Sequence, residues 1–266
     1  MVGRVLWGAF ITYWRALYPP PPPPPTVGFG MLPTPRFPEQ TEADTPTTYT
    51  LELPNGTFPE FSDRAEVFFM PQSSLSLLAD QEARQLAAKY NFVFEPEVLS
   101  SRIYRWRRTT PLESTLQVDI QTSHLRLTTN YLSRADLLVN STLPEPERAE
   151  QIVKNFLTTA DLLYKDLEDS SAEISFMKLV GLELDEAVSF SDADFLKVSL
   201  KRLPISDSFD LYTSNGNQAV VEAIVGGNFS GINSIYQLTY NYNPVDYSQV
   251  HTYPIRTPAE AWQLLR

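Results

Sequence analysis

The chain contains no cysteine and only two histidines. Without thiols there are no disulfides, no thiolate nucleophile and no cysteine-based zinc or iron–sulfur site. His124 and His251 lie far apart, and neither sits in an HExxH motif or in the setting of a triad base, so no metal or cofactor is expected. Positive charge is scarce as well. Lys and Arg number 21 against 32 Asp and Glu, a net charge of -11, which argues against nucleic acid as a partner because phosphate binding needs clustered cations. There is no Gly-x-Ser-x-Gly elbow. Gly226-Gly227-Asn228-Phe229-Ser230-Gly231 lacks the lysine of a phosphate loop and opens no helix, so it reads as a hairpin turn.

What remains is globular in composition. The 266 residues are 42% hydrophobic and 12% aromatic, enough to build a core and too apolar for disorder along the whole length. The most apolar stretch is Val2 to Tyr18. As a helix it would reach ~26 Å, short of a ~30 Å hydrocarbon core, and Arg4 and Arg15 interrupt it. Helical spacing gathers Leu6, Phe10, Tyr13, Trp14 and Leu17 on one side as a membrane-contacting stripe, with Tyr and Trp suited to the headgroup zone. The favoured reading is an amphipathic helix lying on a membrane surface or against a membrane-embedded partner. A helix docked on the body or on another protein is the alternative. A cleaved signal peptide fits less well, since a proline run follows instead of a small-residue cleavage site.

Pro19 to Pro25 is an unbroken proline run. Fixed φ and missing N–H donors favour polyproline II, which spans about 22 Å over this length. With Pro35, Pro38 and Pro46 it forms a linker to residue 46, made flexible again after the prolines by Gly28 and Gly30. A spacer is favoured over a ligand for an SH3- or WW-like groove, because a proline homopolymer suits spacing, whereas recognition motifs usually add a specifying Arg, Lys or Tyr.

From residue 47 the pattern is α+β, with helices packed on antiparallel sheets. Thr47–Leu53 and Ala65–Met70 are expected to pair as a hairpin across Asn55-Gly56. Helices are expected over 74–90 and, continuously, over 147–167. Strands are expected over 102–108, 114–121, 124–131, 174–182, 195–203, 209–213, 219–225 and 232–242. Leu116, Val118, Leu125 and Leu127 alternate with polar residues, which gives the sheet one wet face. Leu127-Thr128-Thr129-Asn130-Tyr131 resembles Leu238-Thr239-Tyr240-Asn241-Tyr242, and each precedes a helix start. The expected organisation is therefore a helix over 1–18, a linker over 19–46, helix-plus-sheet units over 47–140 and 141–256, and a third unit begun at 257–266. Thr257-Pro258-Ala259-Glu260 is a capping box, and the helix it opens predicts a chain that continues past residue 266.

Candidate sites are few. Asp185-Glu186 and Asp192-Ala193-Asp194 concentrate carboxylates, but an EF-hand is excluded because Lys197 and Leu203 occupy the positions that need Gly and Glu. Arg102, Tyr104, Trp106 and Arg108 form the one basic-aromatic cluster, with Arg105 and Arg107 between them. As a strand face the four are candidates for ligand or partner contact; the competing reading sends the aromatics to the core and the arginines to water. Asn55, Asn140 and Asn228 open glycosylation sequons at a frequency expected by chance.

Two phrases resemble known groups. PPPPPPPTVGFGMLP after an aromatic helix (Pro19–Pro33) is similar to the junction in uncharacterised membrane proteins of candidate-phylum bacteria. Tyr253-Pro254-Ile255-Arg256-Thr257-Pro258-Ala259-Glu260-Ala261-Trp262 resembles a strand-then-helix phrase in YycH/YycI-like regulators. The latter resemblance implies a membrane-anchored protein whose extracytoplasmic α+β repeats modulate a sensor kinase; neither phrase carries catalytic residues. The functional expectation is a membrane-associated, extracytoplasmic, non-catalytic interaction or regulatory module. A carboxylate-based hydrolase of envelope glycans and an adaptor displaying polyproline are the alternatives.

Overall fold

Period-two alternation over β4 (Ser114–Asp119) and β5 (Leu125–Thr129) buries every second side chain and leaves the others half or fully exposed. That pattern fixes a sheet with one covered face. The computed structural model describes residues 23–34, 49–53, 55–59, 62–134, 136, 141–205, 209–213, 216 and 218–265. The stripe Leu6, Phe10, Tyr13, Trp14 and Leu17, the prolines 19–22 and Asn140 lie outside them. The described residues fall into two compact units, one of residues between 23–33, 49–68 and 248–265, the other essentially 69–247. The protein is α+β, as its periodicities indicate.

The larger unit is built on a nine-stranded antiparallel sheet. Its strands are β2 (Glu97–Val98), β3 (Ile103–Arg108), β4, β5, β6 (Glu173–Val180), β7 (Glu183–Glu186), β8 (Phe195–Lys201), β9 (Ala219–Val225) and β10 (Ile235–Tyr240), in the spatial order β2-β3-β4-β5-β10-β9-β8-β6-β7. Helices α1 (Ala79–Lys89) and α2 (Pro146–Thr159) each precede one run of these strands. Side chains of both helices join one core cluster with Leu116, Val118, Leu125, Leu127, Leu196, Val198, Val221, Ala223 and Leu238. A smaller cluster around Phe195, Ile224 and Tyr236 includes no helix residue. Register places these three on the opposite face, beside Lys197 and Gln237.

β5 and β10 join the two runs, and Leu127 stands directly opposite Leu238. The similar phrases noted in the sequence are thus cross-strand neighbours. Consequently no boundary between compact units falls at 140/141, where the sequence suggests one: strands from both sides hydrogen-bond into one sheet and share one core. The two helices also end alike. Asn91 (φ 63°) and Asp161 (φ 59°) take the left-handed conformation. Each is flanked by the paired Schellman bonds, Phe92 N to Ala87 O and Asn91 N to Ala88 O in one, Leu162 N to Leu157 O and Asp161 N to Thr158 O in the other. Lys89 Nζ then reaches Asp161 Oδ2 at 2.8 Å, and the Tyr90 hydroxyl donates to Phe156 O at 2.6 Å while its ring stacks on Phe156.

The cap at Asp161 explains why the helix expected over 147–167 is broken. After it the chain turns and only α3 (Lys165–Glu168) follows. Likewise α1 starts at Ala79 instead of 74, because Ser76 accepts the Leu78 N–H in a local turn, and Leu75 and Leu78 are exposed where the helical stripe would bury them. Residues 209–213 form only an isolated bridge from Ile205 to Phe209, not a strand.

In the smaller unit β1 (Arg64–Phe69) pairs with β11 (Asp246–Pro254), not with 47–53 as a hairpin. Asn55-Gly56 is still a turn, with Gly56 N donating to Leu53 O. The segment after the prolines is held, contrary to the flexibility its glycines suggest. Thr26 N donates to Thr252 Oγ1 and Thr252 N to Thr26 Oγ1, both at 3.0 Å, and Val27 N donates to Thr252 O at 3.1 Å. Gly28 lies under the His251 ring so closely that a Cβ there would come within 2.2 Å of it. The capping box forms as read, with Glu260 N bonded to Thr257 Oγ1 and Thr257 N to the Glu260 carboxylate, and opens α4 (Pro258–Leu265). Among the described residues no helix is long and apolar enough to cross a membrane.

One buried polar knot fastens the end of the larger unit. Asp166, 8% exposed, accepts the hydroxyls of Tyr242 and Tyr247 at 2.8 Å each and faces Arg202 Nε at 3.6 Å. The Arg202 guanidinium lies 4.0 Å over the Tyr242 ring. Burial first, and then the bond to Asp166, push the Tyr247 hydroxyl up to about 12, so it stays a donor. Asp166→Ala would strand Arg202 and two hydroxyls, and chemical denaturation is expected to register a loss of about 3–5 kcal/mol. Gly28→Ala is expected to displace His251 and release Thr26; amide exchange at Val27 and Thr252 should accelerate while the larger unit's exchange is unchanged.

Candidate functional site

On the helix-free face, the part over β3, β4 and β5 is where side chains meet solvent, outside the small cluster of Phe195, Ile224 and Tyr236. Register aligns them in rows across the strands. One row runs Arg105, Gln117, Arg126, Thr239, Glu222, Ser199 and Glu173, and its neighbour runs Arg107, Thr115, Thr128 and Gln237. Neighbouring strands are ~4.8 Å apart, so alternate members of a row stand ~10 Å apart at their Cα atoms.

Two hollows open on this face. The first, about 320 Å³, is lined by Arg105, Arg107, Thr115, Gln117, Arg126 and Thr128. The second, about 870 Å³, continues from Arg126 past His124, Glu222, Gln237, Thr239 and Arg202. Volumes of this order are those of small-ligand sites. Arg126 lines both. His124 Nε2 is 3.0 Å from Asn243 Oδ1.

The basic-aromatic strand resolves into two sides. Trp106, 2% exposed, is part of the core, and Tyr104 packs against that core. Arg108, 8% exposed, lies on the same side, donates to Tyr90 O at 2.8 Å and covers the Phe92 ring. Desolvation lowers its pKa, and among the described residues no carboxylate contacts it and its buried Nε has no hydrogen-bond partner. Arg102 is tied to Asp119 at the other end of the strand. Of the four residues singled out in the sequence, then, Trp106 is withdrawn from any ligand by packing. The strand offers its exposed face through Arg105 and Arg107, which the sequence reading passed over in favour of the aromatic side. Arg126 and the threonines had no signal in a linear motif, because strand register alone brings them to Arg105.

The acidic stretches gather about Lys178 and not about a hollow. Asp192 pairs with Lys178, Asp194 accepts the Leu179 N–H, and Asp185 and Glu186 lie on exposed edge strand β7. Among the described residues no cluster could hold a metal ion. Among those lining the larger hollow Glu222 is the single carboxylate, and Lys197 Nζ engages it at 2.8 Å. Carboxylate-based glycoside hydrolysis uses a pair flanking one bond; what this face offers is hydrogen-bonding and cationic recognition. Comparison with protein-family models, curated proteins and solved structures finds no match.

The division of the strand is measurable. Trp106→Ala is expected to cost about 3–5 kcal/mol in denaturant unfolding. Arg107→Ala, on the exposed side, should stay within about 0.5 kcal/mol of the parent.

Proposed function

We propose that the chain is a membrane-associated, extracytoplasmic interaction module of regulatory type, which works by binding and not by catalysis. The observation that carries this reading is the helix-free sheet face. Across β3, β4, β5 and β10 it is polar, hollowed and rich in hydrogen-bonding groups, while the other face is closed by two helices. The apolar stripe Leu6, Phe10, Tyr13, Trp14 and Leu17 supplies the membrane contact, and the proline run sets the distance between that contact and the body. The two helix-plus-sheet halves are read as copies of one unit, which agrees with the α+β repeats of the YycH/YycI-like regulators that the segment from Tyr253 to Trp262 resembles.

Vesicle flotation tests the attachment. The full chain is expected to rise with phosphatidylcholine vesicles, and a Leu6→Asp, Phe10→Asp, Trp14→Asp variant to remain below. Recovery of the full chain wholly in the soluble cytoplasmic fraction of its producing cell would overturn the reading.

A further inference from the structure

We infer that the smaller hollow on the open face is a binding site for a phosphate monoester carried by a small molecule. The inference rests on the binding role proposed above and names the chemistry of its ligand. Its ground is local charge that the protein leaves unbalanced. Arg105, Arg107 and Arg126 line one hollow of about 320 Å³ in a chain whose net charge is -11. Among the described residues Glu97 alone answers them, at 3.7 Å from Arg105 and 3.3 Å from Arg107, and that carboxylate is half exposed. Arg126 has no ion pair or hydrogen bond with any described residue.

Two of the surrounding acids are committed elsewhere. Asp119, next along β4 on the same face, is bound by Arg102. Glu222, beyond Thr239, is bound by Lys197. Glu113 lines an adjoining recess of about 430 Å³ that shares Arg107, Thr115 and Thr128 with this one. Like charges gathered on neighbouring strands oppose folding, so a persistent excess of cations in an acidic protein is best satisfied by an anion from outside.

Geometry selects the kind of anion. Gln117 separates Arg105 from Arg126 in one row, and Thr115 and Thr128 stand beside Arg107 in the next. Guanidinium forks thus face a floor of one amide and two hydroxyls. A tetrahedral phosphate with several acceptor oxygens and nearly two negative charges can take bidentate bonds from more than one fork and single bonds from the floor. The volume exceeds that of the phosphate alone and leaves room for a small organic group. A hollow of this size within a sheet face suits one small ligand better than a bilayer surface.

The test is calorimetric titration of the full chain with sn-glycerol 3-phosphate and with inorganic phosphate, at constant ionic strength. Saturable one-to-one binding is expected. Arg126→Gln should weaken it roughly tenfold or more, the loss of a charge-assisted contact. Arg148→Gln, on the exposed side of α2 and outside the hollow, should leave it within about twofold. Both positions are exposed, and matching thermal melts would show that both variants fold. Absence of saturable binding to either phosphate, or equal weakening by the two substitutions, would overturn the assignment. So would Arg126-dependent binding of phosphatidylglycerol vesicles without binding of soluble phosphates, which would give the face to a membrane. A silent titration with vesicle flotation intact sinks this inference alone; failed flotation with intact titration sinks only the membrane attachment.

Discussion

The antiparallel pairing of β5 with β10 is the contact on which the larger unit depends. Neither run of strands is covered by a helix and closed at both edges when taken alone. Pairing the last strand of each run replaces two exposed edges with one shared ladder. It also puts Leu127 against Leu238 in the middle of the buried face, so the two helices pack on a single continuous floor. The open face inherits its layout from the same ladder. Arg126 meets Thr239 only because that register holds, and a shift by one residue would turn every polar member of the rows toward the helices.

The helix ends reinforce the arrangement. Two left-handed residues, Asn91 and Asp161, end α1 and α2 with the same pair of backbone bonds, and the salt bridge from Lys89 to Asp161 ties the ends together. Asn and Asp tolerate this conformation because their short side chains can satisfy local backbone groups. The exposed ion pair itself adds little. The stacking of Tyr90 on Phe156, with its buried hydroxyl bonded to Phe156 O, contributes more, since it fills the core and satisfies a carbonyl in one step.

Legibility in the sequence followed the range of the forces. Alternation and helical stripes depend on neighbours within a few residues, and they located β3, β4, β5, β8 and β9 nearly to the residue and identified the α+β class. Elements whose existence depends on distant partners were missed. β11 has no clean alternation, and β1 finds its partner there instead of across Asn55-Gly56. The break after α2 was hidden because the apolar stripe continues through Leu163 and Leu167, while the left-handed Asp161 carries no hydrophobic signal. At the candidate site, Arg105 and Arg107 were visible as charges, but their side of the strand was decided by Trp106, whose burial is worth more than any exposed cation. Arg126 could be brought to them only by knowing the β4–β5 register.

The clasp between Thr26 and Thr252 has a kinetic corollary. Its partners are 226 residues apart in sequence, and closing so long a loop from the unfolded chain carries a large entropic penalty for a handful of hydrogen bonds. Within each run the strands pair mostly with near neighbours in sequence, and these pairs and the β5–β10 ladder do not require the clasp. The smaller unit is therefore expected to assemble late, since β11 lies in the last tenth of the 266-residue chain. The segment at Thr26 and Val27 can gain its attachment to β11 only after that last strand exists.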